Sequence, residues 1–174
     1  MMSIARARQA AIILIFLGLS TIAASAAEPS GCAAFKWPID RERASLSATD
    51  KTQLASGQTL DALSTRAIVL SLKPAAEATL PKAPERSSAP ERFAGFVRIK
   101  QVDKAGTYTV ALPSPAWIDA VQAGHTLKPS GFSGATDCTG IRKMVRYELS
   151  AGELLLQVSG VSTETIALAI LPVE

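Results

Sequence analysis

From Phe93 onward the chain alternates apolar with polar residues at a period of two. In FAGFVRIKQV, Val97 and Ile99 stand opposite Arg98 and Lys100, the pattern of a strand with one face in a core and the other in water. TYTVAL puts Tyr108, Val110 and Leu112 on one side, and the DKAGT turn before it predicts an antiparallel hairpin of these two runs. AWIDAV reads as a short strand after Pro113 and Pro115, and AGHT turns the chain again. IRKMVRYEL alternates Ile141, Val145 and Leu149 with Arg142, Arg146 and Glu148, which predicts a solvated basic face carrying the two arginines, with Lys143 on the opposite face at a strand end. GELLLQVSG and TETIALAIL predict a second hairpin, turning at residues 159–163.

The N-terminal half is less regular. TRAIVLSLKP places Ile68, Leu70 and Leu72 on one face of a strand. Residues 73–92 contain Pro74, Pro81, Pro84 and Pro90 with few apolar residues, so they cannot be a central strand and form a connector of polyproline character. Residues 47–57 are polar and read as a loop. Before them, Pro38 and Asp40 suit the first turn of a short helix over residues 39–45, with Ile39, Arg43 and Leu46 on one face. Phe35 and Trp37 alternate as in a strand just ahead of it. Seven or eight short strands with little helix predict a mainly β protein. The expected architecture is a single antiparallel β-sandwich, jelly-roll-like, with a short N-terminal helix and a Pro-rich connector inside it. An aromatic content of 5% is lean for such a domain, so aliphatic residues must fill its core.

The first 27 residues stand outside this pattern. Arg6 and Arg8 precede the apolar run AAIILIFLGL and then small residues with Ala24 and Ala26, or Ser25 and Ala27, at the spacing of a cleavage site. This is a secretory signal peptide, too short in its apolar part for a stable membrane anchor. Glu28 and Pro29 ahead of Cys32 do not fit a lipid-attachment site. The remaining chain, roughly 147 residues, is the size of one domain. The formal charge of +3 includes Arg6 and Arg8, so removing them leaves about +1 and no footprint for nucleic acid. The expected product lies in the periplasm or is secreted. There Cys32 and Cys138, an even pair, read as a disulfide.

The segments FKWPIDRERA, GTYTVALPSPAWIDAV, SGATDCTGIRK and LQVSGVSTETIALAI together resemble small exported proteobacterial proteins without an established activity. The likeness covers most of the chain after the leader and brings no catalytic motif. LLLQVSGVSTETIALAI is also similar to the last strands of carbohydrate-binding β-sandwich modules, which implies glycan binding on a sandwich.

The inventory for chemistry is small. A Ser-His-Asp site has only His125 as its histidine, and Ser133 in GFSGA lacks the second glycine of a nucleophile elbow and the helix that should follow it. Asp119 and Asp137 would be the third members. A non-haem iron oxygenase, a chemistry hosted on sandwich and cupin folds, needs two histidines and a carboxylate; the chain has one histidine. Structural zinc wants four ligands. Glu148 and Glu153 flank a turn, where solvated charges ordinarily sit. No phosphate loop, dinucleotide fingerprint or calcium loop is present, and no cofactor is implied. Binding is the better-supplied class. Trp117 in PSPAWID has Asp119 two residues on and on the same strand face. The loop over residues 125–139 offers His125, Lys128, Ser130, Ser133 and Asp137 as polar groups. Such a tryptophan otherwise packs in a core or on a disulfide, and Cys138 otherwise only staples its loop. The leading expectation is a non-catalytic binding module for a glycan or cell-envelope component. A structural or accessory subunit docking on a partner protein is second, and an enzyme third.

Overall fold

The computed structural model describes residues 27–86 and 89–174; the expected leader, apart from Ala27, lies outside the described residues. The elements in chain order are a 3-10 turn at Cys32–Ala34, helix α1 (Asp40–Ser47), and strands β1 (Thr52–Ala55), β2 (Thr59–Ala62), β3 (Ile68–Ser71), β4 (Lys73–Pro74), β5 (Phe93–Val102), β6 (Gly106–Leu112), β7 (Trp117–Gln122), β8 (His125–Thr126), β9 (Gly131–Gly134), β10 (Lys143–Leu149), β11 (Gly152–Val161) and β12 (Thr165–Pro172). One sheet runs β1-β3-β12-β6-β10-β9, the other β2-β5-β11-β7-β8 with β4 added on β5. Both sheets are mixed: β1 is parallel to β3 and β2 parallel to β5, so the purely antiparallel expectation is corrected. Of the two parallel strands, β1 comes from the stretch read as loop and β2 from the residues just after it. Each buries one leucine against the core, Leu54 or Leu60, too little apolar signal for periodicity to register.

Alternation correctly picks the buried faces and wrongly picks the partners. The two expected hairpins do not exist. β5 pairs with β11, whereas β6 pairs with β10 and β12; β11 and β12 likewise lie in different sheets. The short turns after β5 and β11 therefore carry the chain across the core rather than back beside itself. A strand neighbouring in one sheet and a strand facing across the core bury the same inward positions, so the period of two is blind to the difference. The real two-residue hairpin is β7–β8, where Ala123 and Gly124 both have positive φ, 48° and 77°, as the twist of a tight hairpin requires.

Inward residues of both sheets form one cluster, with Leu70, Val110, Val145 and Leu168 on one side and Val97, Ile118, Leu154 and Leu156 on the other. Tyr147 bridges the sheets at its edge: its hydroxyl donates to the carbonyl of Ile118 at 2.9 Å. A second, smaller cluster lies outside the first sheet. There Ile39, the residue capping α1, and Leu46 within it pack against Ile141 and Met144, with Ala67, Ala111 and Ala169 among the cluster. The alanines let the helix approach closely. Asp40 and Glu42 occupy its first turn, where carboxylates favour the helix dipole. The expected strand at Phe35 and Trp37 is instead irregular chain after the 3-10 turn, with both rings packed on this second cluster.

The Pro-rich connector lies on the outer face of the second sheet. Lys82 N–H donates to Gln157 Oε1 at 2.9 Å, and Gln157 Nε2 donates back to Lys82 O at 3.2 Å. Gln157 is 1% exposed in the middle of β11, so this reciprocal pair satisfies a buried amide that would otherwise oppose folding.

Candidate functional site

The loop containing Cys138 is fastened to the N-terminal segment. Cys32 and Cys138 form a disulfide with Cα atoms 4.7 Å apart. Beside it the Gly31 N–H donates to Thr136 O and the Thr136 N–H to Pro29 O, both at 2.8 Å, a short parallel bridge. Asp137, in the left-handed region at φ 55°, accepts from Ser30 Oγ at 2.7 Å. The Ser30 and Thr136 hydroxyls hold its carboxyl below the ordinary range by stabilising the anion. The stretch over residues 125–139, expected as a loop, thus holds two strands, and Cys138 is its staple. Ser133 is buried in β9, its Oγ accepting the Lys36 N–H at 2.8 Å.

Between this stapled end and the connector opens a cleft of about 1020 Å³, walled by Trp117, Phe132, Ser133, Lys143, Ser159 and Arg86 among others. β7 and β11 set its floor through their register: Ser159 lies opposite Trp117, and Gln157 opposite Asp119. Trp117 is half-buried, and its indole N–H donates to Asp119 Oδ1 at 2.9 Å, which fixes the ring's orientation. The Arg86 guanidinium lies 4.4 Å and the Lys143 ammonium 5.0 Å from the ring centroid, cation–π distances. Lys143 Nζ also donates to Ala116 O at 3.0 Å. Asp119 is 4% exposed. Burial pushes its carboxyl above the ordinary value, against the pull of the Trp117 hydrogen bond. Burial lowers Lys143, and the neighbouring Arg86 and Arg142 cations lower it further. The Tyr147 phenol is pushed up by burial and then by the Asp119 and Glu85 charges.

Of the residues singled out in the sequence, Trp117 and Ser133 line the cleft and Asp119 sits behind Trp117. His125 and Lys128 are exposed and do not line it, and Asp137 is spent on the staple. The solvated basic face is partly covered. The Arg146 guanidinium lies 3.9 Å from the Trp37 ring centroid, and Arg142 pairs with Glu28 at 2.7 Å. Sequence reasoning missed Lys36, Arg86 and Arg92, which also line the cleft. One signal pointed to two of them: APER occurs at 83–86 and again at 89–92, and both arginines reach the same wall. Among the described residues no three histidine, cysteine or acidic side chains gather as metal ligands, and no helix is long and apolar enough to cross a membrane. Comparison with family models, with curated proteins and with solved structures finds no match to this chain.

Proposed function

We propose that this chain is an exported, non-catalytic binding module, built as a jelly-roll sandwich, whose cleft beside Trp117 takes a glycan or cell-envelope component. The sandwich reading is supported by the shared core of the two sheets. The jelly-roll reading is supported by strand order. β3, β12, β6 and β10 in one sheet interleave with β5, β11, β7 and β8 in the other, so that five of the seven connections from β5 to β12 change sheet. Export is supported by the disulfide, which persists in oxidising compartments. The observation that carries the function is the position of Trp117: a large aromatic ring on the wall of an open cleft, held by Asp119 rather than sunk in the core. Aromatic walls with a few fixed polar groups are how such sites hold ligands. Calorimetric titration with a panel of oligosaccharides and envelope fragments tests this reading. A ligand is expected to bind the wild-type protein and to lose at least tenfold in affinity in Trp117→Ala. Binding unchanged in a folded Trp117→Ala protein would place the ligand elsewhere. A co-purifying protein with no ligand bound would favour the accessory-subunit reading.

A further inference from the structure

The cleft is charged out of proportion to the chain. Lys36, Arg86, Arg92, Arg142 and Lys143 line it against a single carboxylate, Glu28, which Arg142 already engages at 2.7 Å. Among the described residues the other four cations make no ion pair. Two further carboxylates lie near without lining it: Asp119 behind Trp117, where burial favours its neutral form, and Glu85, next to Arg86 on the connector. Burial first, and then the neighbouring Arg86 and Arg142 charges, disfavour the Lys143 ammonium; an anion among these cations would relieve the repulsive part. A second observation is independent of charge. Ser159 is 3% exposed and lines the same cleft, and its buried Oγ has no hydrogen-bond partner among the described residues. Buried hydroxyls are ordinarily satisfied, so this one is a donor waiting for an acceptor. Trp117 and Phe132, the latter 65% exposed, add apolar walls suited to sugar C–H faces.

We propose that the cleft recognises an acidic saccharide, its anionic group held among Lys143, Arg86 and the Ser159 hydroxyl. This rests on the binding-module reading and narrows it to ligands carrying carboxylate or sulfate. The test is calorimetry at low salt with three probes: tetragalacturonate, a heparin tetrasaccharide and neutral cellotetraose. The proteins are wild type, Lys143→Met and Arg86→Gln. Arg86 is exposed on the connector, so its variant reports on binding without threatening the fold, and thermal midpoints check both. At least one acidic probe is expected to bind. Its affinity should fall about tenfold in each variant and weaken steadily with added salt, while cellotetraose stays unbound. Binding of tetragalacturonate alone assigns the carboxylate source, and binding of the heparin fragment alone assigns the sulfate source. Cellotetraose binding as tightly as the acids, lost in Trp117→Ala, would overturn the anionic class and leave the binding module standing. Acidic binding that survives both substitutions would overturn this site, and failure of all three probes would count against both readings.

Discussion

Asp119 is a buried carboxylate, and its surroundings set a pH dependence. Burial raises its folded-state value above the ordinary 3.8. The folded protein therefore holds this proton more tightly than the unfolded chain, and stability falls as pH rises from the ordinary value through the raised one. Below the ordinary value the cost vanishes, because both states are protonated. Asp119→Asn removes the titration while keeping an oxygen that accepts the Trp117 indole N–H. Urea midpoints measured from pH 3 to pH 7 should show the variant gaining on wild type as pH rises; parallel curves would show that Asp119 ionises freely in the fold. At this scale the sequence disclosed the pair itself, because residues two apart in a strand share a face. It did not disclose Lys143 or Arg86 as partners of the ring. They come from β10 and the connector, and only the packing of those elements brings them to Trp117.

The Pro-rich connector shows what composition can and cannot say about an element. Four prolines exclude a central strand, and that exclusion stands. They carry no information on where the segment goes. Besides the β4 pairing and Arg86 on Trp117, its docking uses Gln157, which reads in the sequence as a polar interruption of the apolar run GELLLQVSG. Its two bonds to Lys82 hold the connector on the sheet. Gln157→Leu removes both bonds without opening a cavity. It is expected to speed protease cleavage of residues 79–92 by at least threefold while changing global stability by no more than about 1 kcal/mol. Unchanged cleavage would mean that other contacts fix the segment. The hairpin expectations failed for a related reason. The loops after β5 and β11 suit a return to the same sheet or a crossing to the other one, and the choice was made by long-range pairs such as Leu156 with Val97 and Ile170 with Val110.

Across the whole molecule the disulfide ties the N-terminal segment to the loop between β9 and β10. Cys32 and Cys138 are 106 residues apart, so the link restricts the unfolded chain strongly, by about 4 to 5 kcal/mol on a chain-entropy account. The Cys32→Ser, Cys138→Ser double variant is expected to lose about 3 to 5 kcal/mol in urea unfolding. A loss under about 1 kcal/mol would show that the bridge of residues 29–31 with 136 holds the N-terminal segment without the sulfur link. The cleft shares this dependence, since Glu28, Lys36 and Phe132 line it from the stapled side. By itself the sequence determined the β class, the inward faces of the long strands and the pairing of its two cysteines. Alternation, Pro content and cysteine number are local or countable quantities, each with a direct physical consequence. The tertiary structure alone decided which strands are neighbours, that both sheets are mixed, and that five cations line one cleft, two of them on the Trp117 ring. Those are outcomes of competition among distant contacts with the same local pattern, and only the packed chain selects among them.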